Sequence, residues 1–519
     1  MVVLGQQLMQ DPAMVCLLAV AVATGMLVIR AVTRKDGRKR LPPSPRSLPV
    51  IGHLHLVRPP VHRTFHDLAA QLGPLMHIRL GSSHCVVVSS AGVAGELMLI
   101  RSHEGKFSER PLTAVARQFA YGSDGFAFAP YGPHWRFMKR LCMSELLGPK
   151  TVEQLAPIRR AGLVSLLQSV LSSAEVVDLT AALIRLSNTS IITMMASTVP
   201  GSVTDKAQAL VKAVAELLGA FNVEDYIAVC RDWNLQGLGR RAADVHRRFD
   251  ALLEDMIKHK EEARRTREPA EKMTTSNKDL LDILLDKMED DTEVAEVKLT
   301  REKIKAFAID IVTAGSDTSA AMIEWMLAEL MNHPEALRKV RDEIDAVVGH
   351  ERIAGEADVA SLPYLQAVYK ETLRLRPAVP IVYRQATEEM EVGGVFTVPA
   401  GTAVFLNVWS IGRDPAFWNA PLEFRPERFM AGGDHEAVDL RGQHFQFLPF
   451  GSGRRICVGM GLALQTVPAV VAVLVQCFDW AQDGEATIDM EEGDGLVCAR
   501  KHPLLLRPSP RLNPFPALV

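Results

Sequence analysis

Apolar residues recur at helical spacing along most of the chain, while short continuous apolar runs are rare. Through residues 151–265 they recur every three to four positions, the pattern of amphipathic helices. Residues 306–330 are largely apolar and predict one long helix. Short apolar runs at residues 75–80 and 85–88, separated by turn residues 81–83, predict a β-hairpin. The pattern therefore predicts a mainly α protein with small β-sheets.

One polar and highly charged segment interrupts this pattern. Most of residues 258–305 is predicted to be a solvated loop that flanks a short helix at residues 279–285. The motifs that carry chemistry lie on both sides of this segment, and no internal repeat is apparent. We therefore predict a single large domain over residues 53–519.

Residues 1–40 have a different character and predict a membrane anchor followed by a basic stop cluster. Residues 13–29 carry no charge and approach the length of about 20 residues that a membrane-spanning helix needs. The basic residues that follow include only one acid, Asp36, which predicts a cytosolic location for the rest of the chain. A cleaved signal peptide is the alternative, because residues 19–21 resemble a cleavage site, but residues 1–10 contain no basic residue.

Residues 41–52 are rich in proline, which locks the backbone into stiff, extended segments and cannot continue a helix. This composition is compatible with a simple linker and with a hinge that orients the following domain on the membrane.

Composition and charge narrow the possible functions. The chain has 519 residues, 48% of them hydrophobic, so it can bury a large core. Its net charge of -3 provides no overall basic field, and no nucleic-acid partner is predicted. The 7 cysteines are dispersed and lack C-x-x-C spacing. This distribution argues against a disulfide framework or a zinc site, and it favours a reducing compartment.

The most informative motif lies near the C-terminus, where one cysteine stands among glycines and arginines. Residues 450–459 match the pattern F-x-x-G-x-R-x-C-x-G. A cysteine thiolate is a strong axial ligand of haem iron. Gly451 and Gly459 permit close backbone approach, and Arg455 can donate two hydrogen bonds to a carboxylate such as a haem propionate. A buried structural cysteine is the alternative, but the whole pattern favours haem ligation by Cys457.

This segment resembles the haem-binding loop of the cytochrome P-450 superfamily, the haem-thiolate monooxygenases. The resemblance implies a cytochrome P-450 fold, haem b as cofactor with Cys457 as the axial ligand of the iron, and O2 as co-substrate. No flavin or nicotinamide fingerprint appears in the sequence. The resemblance therefore implies that a separate NADPH–cytochrome P-450 reductase supplies electrons from NADPH at the endoplasmic reticulum membrane. In this loop, the implied cofactor-binding residues are Phe450, Gly451, Arg455 and Gly459.

Small and polar residues interrupt the apolar helix predicted over residues 306–330. Its centre reads A-G-S-D-T-S from Ala314 onward, which leaves room beside a flat cofactor. The residues alone are equally compatible with an N-cap for a new helix near Asp317. The segment resembles the oxygen-activating A-G-x-D-T motif of the family. This resemblance implies that Thr318 hydrogen-bonds dioxygen and that Asp317 helps to deliver protons.

A second motif predicts a structural ion-pair group. Glu371 and Arg374 lie at positions i and i+3 of a helix that should end before Pro377, and such pairs usually form at surfaces. The family resemblance adds Arg428, in the P-E-R-F motif of residues 426–429, and implies a triad that braces the core beside the haem. We expect these three residues to be structural rather than catalytic.

A third group consists of predicted propionate ligands. Trp135 and Lys139 share a face of a helix that begins at Pro133. The family usually has W-x-x-x-R here, so Lys139 and its neighbour Arg140 both remain candidates for the propionate contact. Arg384 resembles another propionate ligand of the family. Each cation is also compatible with a solvated surface position.

The substrate prediction rests on finer resemblance. The hinge resembles that of plant microsomal members of the superfamily. Residues 221–226 and 232–237 resemble a flavonoid-oxidising family that contains flavone synthase II, flavanone 2-hydroxylase and isoflavone synthase. The implied substrate is a flavanone such as naringenin or eriodictyol. We expect conversion to a flavone, and 2-hydroxylation of the flavanone or another flavonoid or phenylpropanoid hydroxylation are the alternatives.

The same resemblance implies a substrate pocket of aromatic and aliphatic residues, which suit a flat phenolic ligand, although core packing is the default for each of them. The predicted residues are Phe126, Phe128, Phe221, Ala314, Thr318, Val379, Ile381 and Val497. A haem-thiolate isomerase and a non-catalytic haem carrier are alternatives of other classes. Neither requires the Asp–Thr pair at positions 317 and 318.

Overall fold

Helices dominate the structure, as the spacing of apolar residues predicts. A computed structural model describes residues 40–99, 107–173, 175–197, 201–231, 233–266, 278–290, 297–482 and 487–518. The predicted anchor helix at residues 13–29 lies outside the described residues. In chain order, the helices are α1 (Val61–Leu72), α2 (Ala91–Leu99), α3 (Ala114–Phe119), α4 (Pro133–Leu141), α5 (Pro149–Gln154), α6 (Ala156–Leu171), α7 (Leu179–Met195), α8 (Gly201–Gly219), α9 (Val223–Tyr226), α10 (Leu238–Thr266), α11 (Leu280–Glu289), α12 (Arg301–Asn332), α13 (Pro334–Val347), α14 (Pro363–Leu375), α15 (Val408–Ile411) and α16 (Met460–Cys477).

The strands are short and form small sheets. They are β1 (Leu75–Leu80), β2 (Ser83–Val88), β3 (Val177–Asp178), β4 (Ile381–Gln385), β5 (Met390–Val392), β6 (Phe396–Val398), β7 (Ala403–Asn407), β8 (Phe478–Ala481) and β9 (Leu505–Pro510). The first two form the predicted antiparallel hairpin, and β2 begins two residues earlier than expected. The largest sheet has the order β1-β2-β7-β4, and the smaller ones have the orders β3-β9-β8 and β5-β6.

The proline-rich segment at residues 41–52 is docked on the β1–β2 hairpin. The N–H of His77 in β1 donates to the carbonyl of Pro43 at 2.8 Å, and the N–H of His53 donates to the carbonyl of Arg79 at 2.6 Å. Gly52 has a φ of 60°, and a side chain there would collide with the Arg79 carbonyl. The segment therefore has a fixed position on the domain.

Helix α12 is the central element of the fold. It runs without a break through residues 314–319, so the alternative of a new helix beginning near Asp317 is wrong. It packs against α7 and α16. Within the part of the chain that the structure describes, α16 is the single helix long and apolar enough to cross a membrane, but 61% of it is buried in the protein.

The polar segment at residues 258–305 contains more helix than predicted. Helix α10 continues to Thr266, and α11 occupies Leu280–Glu289. The cause is a buried ion-pair group, in which the ammonium of Lys260 lies 2.5 Å from Asp279 and 2.7 Å from Asp282. Asp279 also caps α11 by accepting the N–H of Asp282. Charged residues of this segment, which the sequence pattern assigned to a solvated loop, thus hold α10 and α11 together.

Candidate active site

The cysteine motif forms a tight loop immediately before α16. The N–H of Cys457 donates to the carbonyl of Phe450 at 3.0 Å, which closes the loop. Gly451 and Gly453 have φ angles of 72° and 65°, a region that favours glycine. Gly459 precedes α16, and a Cβ there would lie 3.9 Å from the Cys457 sulphur. The loop therefore presents the sulphur with free space around it.

The Cys457 sulphur is open to internal space but enclosed by protein, and burial raises the pKa of its thiol. The N–H groups of Gly459 and Met460, together with the charges of Arg110 and Lys139, lower that pKa but do not offset burial. The free thiol is therefore favoured, and the thiolate needs a bound cation such as a metal ion.

Four cations lie around this loop: Arg110, Lys139, Arg384 and Arg455. Arg384 is 2% exposed, and burial together with Arg110 and Arg455 lowers its pKa to about 9. Burial and Arg110 similarly lower the pKa of Arg455 to about 10, although Glu109 opposes this effect. Across the described ranges of the chain, no acidic side chain forms an ion pair with any of these four residues. We call these four residues the cation cluster.

Arg110 is a member of the cation cluster that the sequence analysis missed. It donates to the carbonyl of Ala127 at 3.1 Å, and a β-bridge between Glu109 and Gln385 brings it beside Arg384. The two arginines are far apart in the chain and share no motif. No local sequence signal could therefore have identified Arg110.

Helix α4 presents Trp135 to the cation cluster. Trp135 is 3% exposed, and its indole N–H has no hydrogen-bond partner. Its ring lies 4.6 Å from the Arg455 guanidinium and 5.3 Å from the Lys139 ammonium. Lys139 also donates to the carbonyl of Arg454, whereas Arg140 is exposed on another face of the helix. The structure therefore places Lys139, rather than Arg140, beside Trp135.

These residues fit haem. Buried polar groups in proteins normally have partners, so an unpaired indole N–H among cations without an ion-paired acid indicates an anion that completes the site. The two carboxylates of haem supply such charges. The Cys457 thiol supplies the metal ligand, and the glycines around it leave room for a flat ring system.

The predicted catalytic pair lies on α12. Thr318 donates its hydroxyl to the carbonyl of Ala314 at 2.7 Å. Burial raises the pKa of Asp317, and the charge of Lys212 on α8 partly opposes this shift. Ala314 is exposed on a helix whose other faces are packed in the core, so this part of α12 borders open space. A half-buried acid and a half-buried hydroxyl therefore lie together next to the exposed Ala314.

The predicted structural triad is assembled and fully buried. Glu371 accepts two hydrogen bonds from Arg374, both at 2.8 Å, and one from Arg428 at 3.0 Å. All three side chains have 0% exposure. The remaining N–H groups of the two guanidinium groups donate to backbone carbonyls, among them those of Gly412 and Asn419. The two buried guanidinium groups thus find all their hydrogen-bond partners within the protein.

The predicted pocket residues have different environments. The Phe126 ring stacks on Trp135 at 5.7 Å, and Phe128 is half-buried. Val379 and Val497 lie close together, because the N–H of Cys498 donates to the carbonyl of Ala378 at 2.8 Å.

Two predicted residues are not joined to this group. Ile381 is 4% exposed in a core cluster with Phe65, and Phe221 is 52% exposed and stacks on Tyr226.

Residues 221–226 and 233–237, which carried the finer resemblance, form one unit, and Asp232 lies outside the described residues. The Gln236 side chain accepts the N–H of Val223 at 2.7 Å and donates to the carbonyl of Phe221 at 3.0 Å. The carboxylate of Glu224 accepts the N–H of Leu235 at 3.1 Å. The polar residues of the two motifs thus hold each other in place.

Comparison with known proteins gives consistent matches. The profile of the family described as Cytochrome P-450 matches residues 42–507. Cytochrome P-450 93G1 of Oryza sativa subsp. japonica is 75% identical over 93% of each chain. The 3,9-dihydroxypterocarpan 6A-monooxygenase of Glycine max is 46% identical over 93% of this chain and 96% of its own. A solved structure of zebra fish cytochrome P-450 with progesterone has a TM-score of 0.72 and 25% identity, and the match covers 87% of this chain and 100% of that one.

Proposed function

The chain belongs to the cytochrome P-450 family, and from that premise we propose that it is a monooxygenase that converts flavanones to flavones. The family uses haem b, O2 and electrons that reach it from NADPH through a reductase. The relatives that the chain resembles include the plant flavonoid-oxidising group expected from its sequence.

Each part of the site has a role in this proposal. Cys457 would supply the thiolate ligand of the haem iron, and the cation cluster and Trp135 would hold the haem carboxylates. The bound haem supplies the activation of O2. The Thr318 hydroxyl, which donates to the carbonyl of Ala314 in this structure, would turn to hydrogen-bond the oxygen, and Asp317, whose pKa burial raises, would hold a proton beside it. The triad of Glu371, Arg374 and Arg428 braces the haem side.

The observation that carries the substrate class is the sequence of residues 221–226 and 233–237, which resembles that of flavanone-oxidising enzymes and forms one hydrogen-bonded unit. In residues 377–384, only Arg384 is charged, and it belongs to the cation cluster. Val379, which is half-buried, thus stands in a stretch whose one charge belongs to the cation cluster, as an apolar substrate pocket would require.

Residues 1–40 are proposed to anchor the protein in the endoplasmic reticulum membrane, where the reductase also resides. The docked proline-rich segment at residues 41–52 then fixes the orientation of the catalytic domain at residues 53–519.

Product analysis tests the proposal. Microsomes that contain the full chain and a reductase are supplied with NADPH and naringenin, and we expect the corresponding flavone as the first product. Accumulation of 2-hydroxynaringenin would support the alternative, 2-hydroxylation of the flavanone. A thiolate-type carbon monoxide spectrum with neither product would contradict the flavanone assignment. Turnover without reductase would favour an isomerase.

A second test replaces Cys457 by serine. The matched control is Cys230→Ser, because Cys230 is a half-buried cysteine outside the cysteine loop. The first variant should lose both turnover and the thiolate-type spectrum, and the second should retain both. Retention of the spectrum by Cys457→Ser would overturn the assignment of the iron ligand.

A further inference from the structure

A carboxylate on α12 holds the segment that carries two predicted pocket residues. Asp310 lies about one turn before Ala314 and two turns before Thr318, so the three residues share a face of α12. Its Oδ2 accepts the N–H of Ala127 at 2.9 Å. Asp310 thus joins the face of α12 assigned above to oxygen activation to residues 125–129, which we call the strap segment.

The strap segment is shaped to fit this carboxylate. A Cβ on Gly125 would lie 2.8 Å from Oδ2 of Asp310, closer than carbon and oxygen atoms pack in proteins. The φ angle of Gly125 is not left-handed, so the need for glycine comes from this close approach rather than from backbone conformation. Any side chain at residue 125 therefore requires a shift of the segment or of the carboxylate.

The cation cluster holds the opposite side of the strap segment. Arg455 donates to the carbonyl of Ala129 at 2.5 Å and to that of Phe126 at 3.5 Å. Arg110 donates to the carbonyl of Ala127 at 3.1 Å. The strap segment is thus held on one side by Arg110 and Arg455 of the cation cluster, and on the other side by the carboxylate of Asp310 on α12.

The charge of Asp310 strengthens its hydrogen bond to the strap segment. Burial raises the pKa of Asp310 to about 6, while the N–H groups of Ala127 and Phe126 and the charge of Arg110 lower it. The other titratable neighbour is Cys142, whose pKa is raised to about 12 by burial, so it stays neutral. At neutral pH, Asp310 is mostly ionised and its hydrogen bond to Ala127 is charge-assisted.

We propose that Asp310 is a positioning residue that fixes the strap segment beside the reacting face of α12 and thereby determines how a bulky substrate is presented there. Phe126 couples this position to the haem side, because its ring stacks on Trp135. A shift of the strap segment changes the space beside Ala314 but leaves Asp317 and Thr318 in place. The identity of the substrate rests on the proposed function, but the position of the segment does not.

The test uses two ligands that differ in size. A bulky triazole inhibitor and 1,2,4-triazole are titrated into the haem-loaded full chain, and binding is followed by the change in haem absorption. Asp310→Ala should weaken the bulky ligand about tenfold, because a hydrogen bond to a charged group is lost, and leave the small one unchanged. Asp310→Asn should weaken the bulky ligand less, because its amide oxygen still accepts. Glu302→Gln, an exposed acid on the same helix, is the control.

Weakening of both triazoles to the same extent, or of neither, would overturn the proposal. Gly125→Ala provides an independent arm, because its methyl group collides with Asp310 and should also weaken the bulky ligand. In the double variant with Asp310→Ala, the collision is removed, so the two losses should be less than additive. Additive losses would contradict the proposed contact. If Asp310→Ala does not retain haem, Asp310→Asn and Gly125→Ala decide the question.

The charge of Asp310 adds a pH signature that a merely structural residue would lack. In the wild type, affinity for the bulky triazole should fall as the pH drops through about 6, because protonation removes the charge from the acceptor. In Asp310→Asn this dependence should be absent, and its persistence would contradict the role of Asp310. Failure of the wild type to convert naringenin would count against the flavanone assignment alone, since the triazole contrast does not depend on it.

Discussion

Two groups of buried charges differ in how their charges are compensated. In the triad of Glu371, Arg374 and Arg428, one carboxylate binds both guanidinium groups, and every side chain has 0% exposure. The cation cluster contains basic residues alone, without an ion-paired acid in the described part of the chain. Because unpaired buried charges are costly, the first group is complete as a structural unit and the second is complete only with an anionic ligand.

Loss of the shared acid should produce the largest effect. In Glu371→Gln, two buried guanidinium groups lose their counter-charge, and breaking such a group costs roughly 3–5 kcal/mol of unfolding free energy. Typical domains have only about 5–15 kcal/mol in total, so we expect little folded protein. The measurement is the yield of soluble protein and its urea midpoint, with Glu335→Gln, an exposed ion-pair partner of Arg338, as control. A midpoint equal to that of the control would show that the triad is dispensable.

Removal of a cation from the cation cluster should weaken haem binding without destabilising the haem-free protein. Among the described residues, the Arg384 guanidinium donates one hydrogen bond, to the carbonyl of Tyr383, and burial lowers its pKa, so its charge is disfavoured where it lies. Arg384→Met should leave the unfolding free energy of the haem-free protein unchanged or higher. Haem release to apomyoglobin should become about tenfold faster, because a hydrogen bond to a charged carboxylate is lost.

Arg413→Met is the matched control for this prediction, since Arg413 is also a buried guanidinium with a pKa lowered to about 9, but it stacks on Trp409 outside the cation cluster. It should not change haem release. If Arg384→Met destabilised the haem-free protein and left haem release unchanged, Arg384 would belong with the structural charges.

The sequence predicted those parts of the fold and site that depend on local pattern. Helical spacing identified α12, two short apolar runs around turn residues identified the β1–β2 hairpin, and the cysteine motif identified the loop at Cys457. The contact of Arg110 with the rest of the cation cluster was not predictable, because it depends on a β-bridge between Glu109 and Gln385. The full extent of helix in the charged segment at residues 258–305 was underestimated for a similar reason, since its ion pairs form between separate elements.

The choice between Lys139 and Arg140 needed the rotation of α4 about its axis, which the structure supplies. Lys139→Met should speed haem release only a few-fold, because the ammonium is half-buried and other cations of the cluster remain. Arg140→Met should have no effect, since Arg140 is exposed. Equal effects of the two substitutions in the same haem-transfer assay would show that the lysine has no special position.

The smallest expected effect is the pH dependence of the same lysine. Burial and the charge of Arg455 lower the pKa of Lys139 below its ordinary value of 10.5 in the folded protein. Between the lowered pKa and 10.5, the unfolded chain binds more protons, so the haem-free protein should gain stability with rising pH relative to Lys139→Met. With haem bound, the carboxylates stabilise the ammonium and this difference should disappear. Urea unfolding of both proteins at two alkaline pH values, with and without haem, measures it, and a persistent difference in the haem-bound protein would place Lys139 away from the carboxylates.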